Sequence, residues 1–171
     1  MFSLETERLR LRAVEAGDLG ELVRLHDDPL VARYLGVRDR EWYEWRIGAS
    51  EEEWAERGYG FVIVLDRDSG AFLGRTGIKY WPQFAETELG WVLRPEARGR
   101  GVATEAARAV LGWGFERFGF PYVTAMIRPG NEPSVAVAER LGMSPLRDDE
   151  LLGDPVTVYS VGREAWGRLT A

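Results

Sequence analysis

Arg98-Gly99-Arg100-Gly101-Val102-Ala103 is the stretch of this chain best suited to chemistry. It joins a strand pattern over residues 86–93 to a helix pattern over 101–118, where Ala103, Ala106, Ala107, Val110, Leu111 and Phe118 recur on one face. Gly99 and Gly101 lack a Cβ and let a ligand lie against the backbone. The first amides of a helix have no partner within it and carry the positive end of its dipole. A strand–turn–helix with glycines at its junction is a place to hold a phosphate. Without a ligand, the same glycines would make only a tight turn. The dinucleotide fingerprint G-x-G-x-x-G is missing, and so is the P-loop ending Gly-Lys-Ser/Thr. The single lysine, Lys79, lies outside the turn.

The elements that must position this turn follow in chain order. Alternating Arg and Leu over 6–14 predict a first strand with one buried face. Asp18 and Glu21 predict a capping box opening a helix, and Asp28-Pro29 predicts the cap and first turn of a second, ending at Tyr34. His26, with no metal-spaced cluster beside it, is expected on the surface. Residues 40–57 read as a helix that 48–50 could interrupt, with Ser50 and Glu53 as a second capping box. Its aromatics Trp42, Tyr43, Trp45 and Trp54 are core, interface or pocket lining. Strands over 59–65 and 71–80 flank a turn at 66–70, and the chain then enters the 86–93 strand, an antiparallel meander. A strand over 121–127 follows the long helix, and that crossover makes it parallel to 86–93. After a loop at 128–134 comes a helix stopped by Gly142, a short strand over 143–147, a polar loop over 148–155 and a last strand over 157–163. With no repeat and no linker, the chain reads as one domain over 1–171.

Composition narrows the function. At 45% hydrophobic and 29% charged residues, 171 residues can enclose a real core. A net charge of −6 argues against nucleic acid as a partner and suits an amine, although acidity also serves solubility. No cysteine is present, which removes disulfides, thiolate metal sites and any acyl-cysteine intermediate. The start has no basic segment followed by an apolar run, and no segment is apolar for long enough to span a bilayer, so a cytoplasmic location with no membrane partner is expected.

The six-residue turn resembles the Q/R-x-x-G-x-G/A signature of the GNAT superfamily of N-acetyltransferases, with Arg98, Gly101 and Ala103 at the specified positions. Asn131-x-x-Ser134, followed by a helix ending Arg140-Leu141-Gly142-Met143, and Glu88-Leu89-Gly90-Trp91 add to the likeness. Together they resemble the RimJ/RimL-like, ribosomal-protein N-terminal branch, from Glu5-Thr6-Glu7-Arg8-Leu9 to the final strand. The resemblance implies an α/β (α+β) fold with a mixed, mostly antiparallel sheet, one splayed parallel strand pair and flanking helices. It implies acetyl-CoA as cosubstrate and no metal. The pantetheine arm would pair with backbone groups of Trp91, Val92 and Leu93, beyond a bulge at Gly90. Backbone amides from Arg100 through Gly101, Val102 and Ala103 to Thr104, with Gly99 keeping the approach open, would hold the pyrophosphate, and Arg98 and Arg100 would add charge. Asn131 would bond the pantetheine arm or simply cap its helix, and Arg140 would lie near the adenine.

The implied reaction is direct attack of an amine on a thioester. An α-amine with a pKa of about 7.7–8.0 loses its proton at pH 7 for about 1 kcal/mol, whereas a lysine amine near 10.4 costs nearly 5 kcal/mol. Glu88 is the candidate carboxylate for that proton; alternatively, it positions the ammonium or is a solvent-facing strand residue. A backbone amide near Val92 would polarise the carbonyl. Ser134 would give a proton or hydrogen bond to the leaving thiolate, where many relatives in the superfamily use a tyrosine, or would satisfy an orphan amide of its own helix. The acceptor would be a protein N-terminus or a small amine, and a homodimer is compatible with this reading. The alternative is a non-catalytic acyl-CoA-binding or regulatory module.

Overall fold

The computed structural model describes residues 2–171. Its strands are β1 (Ser3–Glu5), β2 (Leu9–Ala13), β3 (Phe61–Asp66), β4 (Phe72–Trp81), β5 (Glu86–Leu93), β6 (Tyr122–Ile127), β7 (Ser144–Leu151) and β8 (Asp154–Gly162). The helices are α1 (Leu19–His26), α2 (Pro29–Leu35), α3 (Arg40–Arg57), α4 (Val102–Phe118), α5 (Glu132–Arg140) and α6 (Arg163–Thr170). The strands order as β1-β2-β3-β4-β5-β6-β8-β7. The β5–β6 pair is parallel, with Glu88 opposite Thr124, and β1–β2, β2–β3, β3–β4, β6–β8 and β7–β8 are antiparallel. This is the mixed, mostly antiparallel sheet with helices that the turn motif implied.

The described residues pack as two compact units, one running to Gly77 and including Trp91–Ala106, the other Ile78–Gly90 with Ala107–Ala171. The first is centred on Leu22, Leu25, Tyr43, Ile47 and Ile63, where the inward faces of α1 and α3 meet β3. In the second, Val110, Leu111 and Phe115 of α4 are buried, as are Val123 and Ala125 of β6 and Val158 of β8, and Trp166 of α6 reaches Phe115 at 6.0 Å between ring centroids.

Several elements differ from the sequence expectation. Residues 6–14 are not one strand. Thr6 turns the chain, its amide donating to Leu9 O at 2.9 Å, so β1 and β2 form a hairpin. Asp18 does not cap forward with Glu21. Its carboxylate reaches back to the Glu15 amide at 2.8 Å and to Arg12, closing a 3-10 turn over Ala16–Asp18. Helix α3 runs unbroken through Gly48, because Ser50 accepts the Phe61 amide at 2.8 Å and ties the helix to β3 instead of capping a new one. Residues 148–155 are paired strand, with Asp148 opposite Thr157 and the turn at Leu152-Gly153. Its alternation was invisible because β7 is polar and largely exposed on both faces. Helix α6 was also unforeseen. Asp28 caps α2 through the Leu30 amide, as expected. Among the described residues, no helix is long and apolar enough to cross a membrane, and no group of three or more His, Cys, Asp or Glu side chains could hold a metal.

His26 is the clearest correction. It ends α1 buried at 7% exposure, its Nδ1 bonded to the Tyr43 hydroxyl. Burial first, then Arg75 and Arg38, lower its pKa to about 4. A folded-state pKa below the unfolded one means the unfolded chain binds the proton first as pH falls. Stability should thus be unaffected by this group above pH 6.5 and fall between pH 6.5 and 4, by at most about 3 kcal/mol. Thermal melts of wild type and His26→Gln across pH 4–8 check this; the difference between the two curves should change only in that window.

Gly74 sets how closely β4 and β5 approach. At φ +154°, an added Cβ would lie 2.2 Å from Val92 O and 2.8 Å from the Leu93 Cα, both backbone atoms. Gly74→Ala should therefore destabilise by about 3 kcal/mol, the upper end of the cost of overpacking. Gly70→Ala, at φ +72° with open space around it, should cost about 1 kcal/mol. Urea denaturation of the two variants reads the difference.

Candidate functional site

In the first unit, the turn before α4 is held by side chains on both sides. Arg98 directs its guanidinium to Leu93 O at 3.0 Å and to Asp28, the residue that caps α2. Both bonds come from Nη2, and they pin the turn to α2 and to the end of β5. Arg8 bonds Arg100 O at 2.8 Å and Glu105 through Nε at 2.7 Å, and Glu105 also accepts from Thr6 Oγ1 at 2.6 Å. These bonds bring the β1–β2 turn to the start of α4. Sequence reading missed Arg8, because only the fold brings residues 6–8 to residues 100–105.

Gly99 and Gly101 have φ of +70° and +75°, left-handed values that a side chain disfavours. A Cβ at Gly99 would meet nothing within 4 Å, and one at Gly101 only the Arg8 guanidinium at 3.5 Å. The first helical bond of α4 is Glu105 N to Gly101 O at 3.0 Å, so the amides of Val102, Ala103 and Thr104 precede the helical ladder. Thr104 Oγ1 is buried with no hydrogen-bond partner. Open backbone, early amides and an orphaned hydroxyl fit a diphosphate. A cavity of about 220 Å³ adjoins the turn, lined by Arg8, Arg100 and Val102 with Asp66 and Asp68 of the β3–β4 hairpin. Asp66 accepts from the amide and hydroxyl of Ser69, which holds its carboxyl below the usual range.

The end of β5 assigns its main-chain groups. Arg94 N donates to Leu73 O at 2.9 Å, and Val92 O lies against Gly74, so Val92 and Arg94 face β4. By the two-residue period of a strand, the amides of Trp91 and Leu93 turn to the opposite edge. By the same period the Val92 amide turns toward β4, and its two neighbours carry the outward donors.

In the second unit, β5 carries two carboxylates with different surroundings. Glu86 is 6% exposed and paired with both terminal nitrogens of Arg147, at 2.8 and 2.9 Å, and with Tyr122 Oη at 3.3 Å. Burial and Glu86 raise the Tyr122 pKa. Glu88 is half-buried rather than solvent-facing, and accepts from Trp81 Nε1 at 2.5 Å and Met126 N at 3.4 Å. The Met126 amide thus bonds a side chain of β5, two residues beyond Thr124, the residue registered opposite Glu88. An amide bonded by a carboxylate marks the place where regular pairing of the parallel strands gives way.

Helix α5 begins at Glu132, with Asn131 as its cap. Asn131 Oδ1 accepts from Ser134 N at 3.4 Å, and Asn131 O accepts from Ser134 N and Val135 N at 3.1 Å. Asn131 therefore takes the capping role, so capping does not account for the half-buried Ser134 hydroxyl. The Arg140 carbonyl accepts from Arg108 at 2.7 Å.

Residues 8–144 match the family model for the acetyltransferase (GNAT) domain. The chain is 36% identical over 168 residues to the uncharacterized protein YkkB of Bacillus subtilis strain 168, covering 91% of this chain and 93% of that one. It is 31% identical to the uncharacterized N-acetyltransferase YnaD of the same strain, over 82% of this chain and 81% of the other. The crystal structure of an acetyltransferase from Agrobacterium tumefaciens C58 superposes with a TM-score of 0.83 at 31% identity, covering 94% of each chain.

Arg147→Met should leave Glu86 buried without its cation. Losing one partner of a buried pair costs about 3–5 kcal/mol. With Arg147 33% exposed, a loss of about 2 kcal/mol is expected. Adding Glu86→Gln should recover most of it, as read by urea denaturation of the two single variants and the double variant.

Proposed function

The chain belongs to the GNAT acetyltransferase family and is an acetyltransferase, and on that premise we propose that it moves acetyl from acetyl-CoA directly onto a primary amine within a ternary complex. The observation that carries this reading is the start of α4, where open glycines and early amides adjoin the unpartnered Thr104 hydroxyl. Amides from Arg100 to Thr104 receive the diphosphate, with charge from Arg100. Main-chain groups of Trp91 and Leu93 pair with the amides of pantetheine, and one of their N–H groups polarises the thioester carbonyl. Glu88 accepts the ammonium proton, directly or through water. The amine nitrogen then attacks the carbonyl carbon and the C–S bond breaks; the second proton that nitrogen sheds reaches the thiolate through the Ser134 hydroxyl, which gives its own proton, or a hydrogen bond, to sulfur and takes up the one from nitrogen. No cysteine is available to carry the acetyl group on the way.

The RimJ/RimL-like motifs favour a protein N-terminus as acceptor, and a small amine is the other candidate. The reading takes the whole chain as one domain, because β4, β5 and α4 each contribute residues to both compact units. It places the enzyme in the cytosol, where acetyl-CoA is made available.

Thiol release from acetyl-CoA with a panel of amines and peptides tests the proposal. Binding of acetyl-CoA with no release across the panel would point to an acyl-CoA-binding module instead. Ser134→Ala should lower kcat on the order of 100-fold with little change in the KM for acetyl-CoA. Glu88→Gln should slow a lysine acceptor more than an α-amine, because the lysine must give up a proton held more tightly by about 2.5 pKa units.

A further inference from the structure

In the second unit, the two oxygens of Glu88 meet unequal donors. Trp81 Nε1 of β4 reaches Oε2 at 2.5 Å, and Met126 N of β6 reaches Oε1 at 3.4 Å. The shorter is a charge-assisted bond, and the longer lies at the weak edge of hydrogen bonding. Trp81 is half-exposed, so water could serve its N–H and burial does not force the bond. Trp54, by comparison, gives its indole hydrogen to a main-chain carbonyl, Phe61 O, at 3.1 Å.

Lys79, the single lysine of the chain, shares a face of β4 with Trp81 by the two-residue period of a strand. Its Nζ stands 4.0 Å from the centre of the Trp81 ring. A cation over the ring draws electron density from it, which strengthens the indole N–H as a donor. An indole nitrogen donates and does not accept. It can therefore hold a carboxylate without competing for the proton that the carboxylate takes. It also keeps its partner after that proton arrives, because the unprotonated oxygen of a carboxylic acid still accepts.

On the reading of Glu88 as the proton acceptor in acetyl transfer, we infer that Trp81 is a positioning residue: it clamps Glu88 through Oε2 and leaves Oε1 as the oxygen that takes the proton from the amine. In that step an N–H bond of the ammonium breaks and an O–H bond forms at Oε1. The nitrogen keeps the electron pair with which it attacks. The long bond from the Met126 amide is the one that yields, since Oε1 accepts less well once protonated. The bond from Trp81 fixes the plane of the carboxylate, so Oε1 points the same way before and after. A carboxylate free to rotate would spend part of its time with neither oxygen aimed at the amine.

Trp81→Phe tests this, because it keeps a ring under Lys79 and removes the N–H. With a lysine acceptor, kcat should fall about 10-fold, the worth of one hydrogen bond to a charged group, with the KM for acetyl-CoA unchanged. The acid limb of the kcat/KM profile should move up by about one pH unit, since the lost bond favoured the ionised carboxylate. Lys79 of β4, Glu86 of β5, Tyr122 of β6 and Arg147 of β7 remain in place in this variant, so their charges do not account for the move. In a Glu88→Gln background the same substitution should cost about twofold or less, because its effect runs through the carboxylate. Equal losses in the two backgrounds would make Trp81 a support of the fold alone and overturn the inference, as would an unmoved limb. If no amine is acetylated, the transferase reading fails, and carbon NMR of the Glu88 carboxyl in the free protein decides the clamp. A titration about one pH unit higher in Trp81→Phe supports it, and an unchanged titration sinks it. Should Trp81→Phe fail to fold by circular dichroism, the indole proton of Trp81 in the wild type decides. Its resonance should shift as Glu88 ionises and lose that shift in Glu88→Gln; a resonance indifferent to both would overturn the inference.

Discussion

The first turn of α4 must leave its leading amides unpaired, and the rest of the functional arrangement depends on that constraint. A helix cannot bond its own first amides. Most helices cover them with a capping side chain, but here two left-handed glycines precede the helix and the approach at Gly99 stays open. Such a turn has little stiffness of its own, because glycine has more freedom to lose on folding than any other residue. The stiffness comes from its flanks. Arg98 locks one side to Asp28 and Leu93, and Arg8 with Glu105 locks the other. Arg98 is thus a brace, and another brace comes from the far N-terminal hairpin.

Strand β5 shows how one element divides structural work from chemistry. Glu86 and Glu88 are two residues apart and so share a face of the strand. Glu86 is neutralised by a bidentate arginine and fixes β7 to β5, whereas Glu88 takes an indole N–H and a main-chain amide near the end of regular pairing with β6. A carboxylate in the second situation can exchange its donors for a substrate's; one in the first would first have to give up its ion pair. Further along the same strand, Gly74 draws β4 close and holds Val92 inward, leaving Trp91 and Leu93 with outward amides.

Sequence patterns located the pieces whose order is local. The span of β5, the extent of α4 and α3, the Asp28 cap and the β3–β4 turn all follow from periodicity and capping chemistry, which act over a few residues. Patterns failed where a side chain chose a distant partner over a near one. Ser50 bonded Phe61 rather than its own helix, and Asp18 turned back to Arg12 and Glu15. They also failed at β7, whose polar faces carry no alternation to read, and at His26, where the sequence showed no neighbour that could bury it.

The sequence by itself determined the types of α1 through α5 and of β2 through β6, the antiparallel meander with its parallel crossover, the glycine turn at the start of α4, and the absence of a thiol nucleophile. Each depends on short-range geometry or on which atoms are present at all. Tertiary structure decided which charges remain available. Arg98, Arg147 and Arg8 meet carboxylates 61 to 97 residues away, while Arg46 Nη1 and Arg75 Nε beside Phe61 have no acceptor. Charge pairing depends on separation in space, and no periodicity along a chain records which distant segment will supply the opposite charge.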